Sequence, residues 1–415
     1  MPLPKHFIQN TIKPMLGALL AGFIVSVFIF AFKHITEKTE HWIIRVHTIP
    51  ALILITPLIG LTLIFLLRKF IFKREANKGI REITDSLKTR FPHVPIYKFP
   101  SHIINGFITI ISGGSTGIEV SSVVASGAVG SYIGSSMGIL KKHRAGIICA
   151  AVAAAITSLF NSPLAGIFFA YEVMYKKVSR PFAFLAVITS LLVWLMDLFY
   201  FNESPIIPIY TDHWNYYAIP LFILLGVLAG VNSTYMTRLV IEFKKLRFLQ
   251  TNPVLSLTGL SLVLGALIVL FPGLYGEGYS SIQNLVTGKN ITPLIFVLLL
   301  LVKPLVVTIT LSAGGDGGVF APSLFTGAFL GGITAFICNS YFGMQLVPEN
   351  FILAGMAAVL CASIHAPLTA IFVVCGLTGN YSILIPLVIS CLVARITSHY
   401  MYPYSVYNFP LKNSR

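Results

Sequence analysis

Two glycine-rich breaks interrupt the apolar runs of this chain, and each carries one carboxylate. The first reads Ser112-Gly113-Gly114-Ser115-Thr116-Gly117-Ile118-Glu119, the second Gly314-Gly315-Asp316-Gly317-Gly318-Val319-Phe320-Ala321-Pro322. An apolar stretch of helical length follows each. A broken helix exposes backbone N–H groups at the start of its second part, where the dipole is positive, and such an end can hold an anion stripped of water. Matching breaks in two halves of a hydrophobic chain point to a transport site near the bilayer midplane. The chemistry implied is the movement of anions across a membrane. Glu119 suits it: a carboxylate oxygen can occupy an anion site itself, and protonation removes it from competition. A water-poor setting favours that protonation. The plainer reading of Glu119 is a helix N-cap, and a cap is the reading preferred for Asp316.

The elements that must position these residues are membrane helices. Hydrophobic residues make up 56% of the 415 and charged residues 10%, against about a quarter charged in soluble domains. The runs 15–32, 49–67, 181–198, 253–271 and 293–311 are each about long enough to cross the hydrocarbon core. None shows the alternation of outer-membrane barrel strands. The expected fold is an all-α polytopic membrane protein.

A net charge of +15 raises the question of nucleic acid, but its placement answers it. Arg68, Lys69, Lys73, Arg74, Lys78, Arg81, Lys88 and Arg90 cluster between two hydrophobic regions. Smaller groups are Lys141, Lys142 and Arg144; Lys176, Lys177 and Arg180; and Arg238, Lys244, Lys245 and Arg247. By the positive-inside rule these loops are cytoplasmic and meet anionic lipid, and no nucleic-acid partner is called for. The segments 203–212 and 276–279 carry no Lys or Arg, as outside loops should. The five cysteines lie in apolar stretches with no CxxC and no His at ligand spacing, so they read as small core residues, with no metal or organic cofactor expected. The start, Met1-Pro2-Leu3-Pro4-Lys5-His6, lacks the pattern of a removed signal peptide. The chain divides near Asp212–Tyr217 into approximate halves 1–212 and 213–415, with no soluble regulatory domain expected.

Four blocks, in order, give the chain a resemblance to the ClC family of chloride channels and proton/chloride antiporters, over nearly the whole membrane domain. Gly317-Gly318-Val319-Phe320-Ala321-Pro322 is similar to the family's G-G-x-F-x-P helix start. Phe160-Asn161-Ser162-Pro163-Leu164-Ala165-Gly166 runs into Glu172. Ala354-Gly355-Met356 is followed by His365-Ala366-Pro367-Leu368-Thr369 and Thr378-Gly379-Asn380-Tyr381. Tyr402-Pro403-Tyr404-Ser405 looks like the segment that carries the family's anion-coordinating tyrosine. The resemblance implies two inverted halves whose broken helices meet at a midplane anion site, and a homodimer with one pore per subunit. It makes Glu119 the gating glutamate. Gly317, Gly318, Val319 and Phe320 become anion-binding backbone, and Tyr404 a hydroxyl donor to the ion. Without the resemblance, Tyr404 reads as an interfacial aromatic.

Three departures bear on mechanism. The family's first anion motif, G-S-G-I-P, is reduced to Asn77-Lys78-Gly79-Ile80-Arg81; Lys78 then either attracts anions with Gly79 and Ile80 or snorkels into the cytoplasm with its basic neighbours. Val173 stands where many antiporters have an inner proton-relay glutamate, with Glu172 one residue off. Val120-Ser121 replace the family's Gly-Pro after the gating carboxylate. The expectation is therefore passive or weakly proton-linked conduction of chloride or a similar small anion. A proton/chloride antiporter whose inner path uses water or Glu172, and a fluoride/proton exchanger, are the alternatives. The expected setting is the inner membrane of a prokaryotic cell, with both termini cytoplasmic. An intramembrane enzyme built on Ser115 or Ser126 with His102 or His365 lacks a nucleophile paired with a base and an orienter, so no enzymatic activity is expected.

Overall fold

The apolar runs become helices that start on proline and stop on left-handed residues. Pro50, Pro163, Pro253, Pro348 and Pro367 each open a helix, the position where a missing N–H costs nothing. Asn161, His365, Gly343 and Gly379 close helices with positive φ, freeing the chain to turn. A computed structural model describes residues 4, 7–46, 49–72, 78–174, 180–209, 211, 213–246, 252–288 and 293–409. Lys73, Arg74, Lys176, Lys177, Arg247, Asp212 and most of the first six residues lie outside these.

The first half supplies α1 (Lys13–Val46), α2 (Pro50–Phe70), α3 (Ile80–Lys88), α4 (Lys98–Ile111), α5 (Glu119–Ser136), α6 (Lys141–Phe160), α7 (Pro163–Phe169) and α8 (Arg180–Met196). The second supplies α9 (Ile219–Lys244), α10 (Pro253–Leu270), α11 (Tyr279–Val286), α12 (Pro293–Ser312), α13 (Phe320–Phe342), α14 (Pro348–Ile364), α15 (Pro367–Thr378) and α16 (Leu384–Met401). Among the described residues nine helical stretches are long and apolar enough to cross a membrane.

The second series repeats the first. The packing of α6 on α5, α8 and α1 recurs as α14 on α13, α16 and α9, and α2 against α4 recurs as α10 against α12. The helices α2 and α10 pack on each other, as do α7 and α15, which is what a two-fold relation between the halves requires. Equivalent loops have opposite charge. The last turn of α2 and the segment leading to α3 carry Arg68, Lys69 and Lys78, whereas the segment between α10 and α11 has Glu277 and no Lys or Arg. Sidedness by charge therefore inverts one half relative to the other.

The two breaks meet on this two-fold. Gly117 and Gly318 form an antiparallel bridge, each N–H donating to the other's carbonyl at 3.1 Å. The Ser115 N–H donates to Thr310 Oγ1 at 3.1 Å and, in the equivalent bond, the Asp316 N–H donates to Thr109 Oγ1 at 2.9 Å. Gly113 (φ 89°) and Gly314 (φ 98°) turn the chain out of α4 and α12 through left-handed space, which an L side chain enters only with strain. These bonds satisfy backbone groups that would otherwise be stranded at membrane depth.

Candidate anion pathway

Glu119 is the first residue of α5 and is 1% exposed. Its Oε1 accepts the Tyr279 hydroxyl at 3.0 Å, and its own N–H and that of Ala321, in the first turn of α13, face the carboxylate. The carboxylate therefore sits where the starts of α5 and α13 converge, in front of N–H groups that have no intrahelical acceptor. An anion bound there would compete with it directly. Gly317, Gly318 and Val319, which lead into Phe320 at the start of α13, line a cavity of about 420 Å³ on the basic side of the protein.

That inner cavity brings Lys78, Gly79 and Ile80 to the second break. Lys78 is exposed and its backbone N–H caps α3 on Glu82 Oε1 at 2.6 Å. Lys78 is thus an exposed residue on the border of that cavity. The N-cap residue of α13 is Val319, whose side chain makes no cap bond, and the Asp316 carboxylate lies 3.1 Å from the buried His102 ring, 3.4 Å from Ser121 Oγ and 3.9 Å from Arg68.

Tyr404 is placed elsewhere. It is 40% exposed and its ring packs edge-on against Tyr402 at 5.5 Å, so its hydroxyl does not line the cavity. Tyr407 does. Its hydroxyl is buried, has no hydrogen-bond partner among the described residues, and lies 3.8 Å from where a Cβ on Gly318 would stand. A buried donor left without an acceptor is costly unless an ion fills the gap. Arg81 holds the segment in place: Nε donates to the Tyr407 carbonyl at 3.2 Å, a second guanidinium nitrogen donates to the Phe409 carbonyl, and the guanidinium lies over the Phe409 ring at 3.7 Å. Tyr407→Phe is expected to weaken anion binding by about 1–2 kcal/mol, roughly five- to thirty-fold, while Tyr404→Phe leaves it unchanged. Titration of both variants with chloride checks this, and equal effects would remove the assignment.

Val173 packs against the hydrophobic core and carries no proton. Glu172 is committed to another task. Its Oε2 accepts the Thr369 N–H at 2.8 Å and the Thr369 hydroxyl at 2.7 Å, and Oε1 accepts the Leu368 N–H at 3.2 Å. It caps α15 from outside and satisfies the first donors of that helix. Glu172→Ala should cost about 1 kcal/mol of stability, in the range of lost caps, with the ratio of ions moved unchanged. Thermal unfolding and flux measured on the same variant check both halves of that statement.

On the opposite side a vestibule of about 350 Å³ is lined by Lys33, Glu37, Glu40, Glu203, Glu277 and Tyr279, among others. A small cavity of about 10 Å³, bordered by Glu119, Glu277, Tyr279, Lys33 and Glu37, shares four of these residues with the vestibule. Lys33 is paired with Glu203 at 2.5 Å, both nearly buried. Sequence reasoning missed Tyr279, Glu277, Arg81 and Tyr407. The glycines around Glu277 were the available signal: Gly278 (φ 92°) opens α11 as Gly79 (φ 62°) opens α3, so Glu277 and Tyr279 are the second-half counterparts of Lys78 and Ile80. The residues considered for an intramembrane enzyme are not assembled as a catalytic set: His102 faces Asp316 and Glu82, and His365 packs against the His399 ring.

The family model described as voltage gated chloride channel matches residues 59–399. A curated relative, the H(+)/Cl(-) exchange transporter ClcA of Cronobacter sakazakii, is 28% identical over 409 residues, covering 93% of this chain and 85% of its own. Among solved structures, a slow cyanobacterial Cl-/H+ antiporter superposes with a TM-score of 0.83 at 22% identity, covering 95% of this chain and 96% of its own. A CLC-type fluoride/proton antiporter superposes with a TM-score of 0.76, also at 22% identity, over 94% and 96% of the two chains. With the broken helices, the paired glycines and the buried Glu119 in place, these matches identify the chain as a member of the voltage gated chloride channel (ClC) family.

Proposed function

We propose that this protein exchanges chloride, or a similar small anion, for protons across the membrane, with Glu119 alternating between occupying the anion seat and carrying the proton. The observation that carries the reading is the position of the Glu119 carboxylate. It lies at the joint start of α5 and α13, bonded by Tyr279 and set between the outer vestibule and the inner cavity. A path closed by a titratable anion suits stepwise exchange better than free conduction. The relative named as an H(+)/Cl(-) exchange transporter supports the same reading over the passive or weakly coupled conduction that Val173 suggested.

In this reading the proton does not pass through position 173, and Glu172 is held by α15. The inner cavity, about 420 Å³ and bordered by Lys78, Arg81 and Asp316, is roomy enough for waters with polar partners and supplies the inner route. A homodimer, a bacterial inner-membrane location and cytoplasmic termini belong to the same proposal. Flux from proteoliposomes read with chloride and pH electrodes together tests it. Both ions moving supports exchange, chloride alone returns the passive reading, and a fluoride electrode in place of the chloride one decides between the two halides.

A further inference from the structure

The outer entrance of the pathway presents a physical problem. Glu277, Glu40, Glu37 and Glu203 line the outer vestibule beside Lys33, and Glu119 lies just below. Lys303, the other buried lysine near the cluster, donates to the Gly276 carbonyl at 3.1 Å and to the Leu274 carbonyl at 3.4 Å. An anion arriving from outside meets more carboxylates than cations, in a setting where water screens charge poorly. The inner mouth is the reverse, with Lys78, Arg81 and Arg68 at its wall.

Glu277 borders both the vestibule and the small cavity beside Glu119. It is 2% exposed, and its Oε1 accepts the Ile118 N–H at 2.8 Å. Ile118 is the N-cap of α5 and directly precedes Glu119, so its N–H belongs to the same positive helix start that offers donors to an anion. The segment Gly276-Glu277-Gly278-Tyr279 thus does two things at once: Tyr279 donates to Glu119 and Glu277 takes up the next donor outward. A small cavity of about 10 Å³ is bordered by both glutamates, Ile118 and Tyr279.

We propose that Glu277 is a second carboxylate gate, which occupies an outer anion position at the Ile118 N–H and must be released, by taking a proton from the outer solution, before an anion can enter from that side. This rests on the anion pathway proposed above, but not on its proton coupling. Protonation turns the acceptor oxygen into a neutral acid with weaker claim on the N–H, and the incoming anion replaces it as acceptor. The groups facing Glu277 or sharing its vestibule are Glu119 on α5, Tyr279 on α11, Glu37, Glu40, Lys33, His34 and His41 on α1, Lys303 on α12, and Glu203 on a loop; outer acid also charges the two histidines, so the double variant is what isolates Glu277. Since carboxylates outnumber lysines there, outer acidity is expected to open the entrance.

The test uses the full chain in proteoliposomes, with anion flux measured as outer chloride and outer pH are varied, in Glu119→Gln and in Glu119→Gln/Glu277→Gln. Glutamine keeps an oxygen that can accept from Ile118, so the local fold has its partner. The single variant is expected to retain activation by outer acid. The double variant should lose that dependence and require several-fold less outer chloride for half-maximal flux. Glu277→Asp in the Glu119→Gln background, which keeps the charge but shortens its reach, should retain acid activation with a weaker block. The proposal is overturned if the Glu119→Gln variant is already indifferent to outer pH, or if adding Glu277→Gln changes neither the pH profile nor the chloride requirement. Because the readout is anion flux alone, loss or persistence of proton movement judges the exchange reading separately.

Discussion

Glu119→Gln is expected to abolish proton movement while anion flux continues, the remaining pH dependence being the outer-acid activation assigned above to Glu277. The glutamine is close to the shape of the neutral acid. It can accept the Tyr279 hydroxyl as the native Oε1 does at 3.0 Å, so the fold around it has no reason to shift. It carries no proton on or off, and it bears no negative charge with which to compete for the N–H groups at the starts of α5 and α13. An anion should therefore hold the seat more readily, and the exchange cycle loses the one group that links the two ions. Proton and anion fluxes read together on the variant check this. Proton movement that persists in its native ratio would remove Glu119 from the centre of the mechanism.

Gly318→Val should reduce flux to background. Gly318 gives both its N–H and its carbonyl to Gly117 at 3.1 Å. A Cβ at Gly318 would run into the Val120 side chain, which itself borders the inner cavity. A β-branched residue adds two further carbons with one preferred rotamer, at the place where α5 and α13 begin. Either the glycine pairing parts or the anion seat is filled, and both outcomes stop transport. Gly259→Val serves as the control, since nothing lies within 4 Å of its Cβ position. Side-chain changes of similar size at Val319 and Phe320, whose contribution is through the backbone, should alter flux modestly. Selective flux surviving in Gly318→Val would contradict a seat built on the paired breaks.

Much of this arrangement is legible in the chain itself. The breaks announce themselves because glycine clusters are out of place in apolar helices, and the positive charge sorts the loops to one side. Those two signals find Glu119 and the second helix start, while the inverted halves are implied by the family resemblance. What they do not find are residues placed by distant partners. Glu277 sits in a short loop that reads only as lacking Lys and Arg, and its partner Ile118 is 159 positions away. Tyr404 and Tyr407 are close enough along the chain that a Tyr-Ser match selects the first. The choice is made in space, by the turn after Ser405 and by Arg81, which fastens Tyr407 and Phe409 to α3. Glu172 next to Val173 invites a proton role by proximity, yet its carboxylate is spent on the first N–H groups of α15. Asp316 illustrates the same limit: a carboxylate in a glycine-rich helix start reads as a cap, and its spatial neighbours, buried His102 and Arg68, stand far from it in the chain. Buried charges are settled by whichever partner compensates them, and that partner is rarely a sequence neighbour.

The most direct test imposes a chloride gradient across proteoliposomes holding the native protein, with no pH gradient, and follows outer pH. The account predicts protons driven uphill in a fixed ratio to chloride, and no such movement in Glu119→Gln liposomes that still pass chloride. Chloride that runs down its gradient through the native protein with outer pH unmoved would contradict exchange and leave a passive conductor.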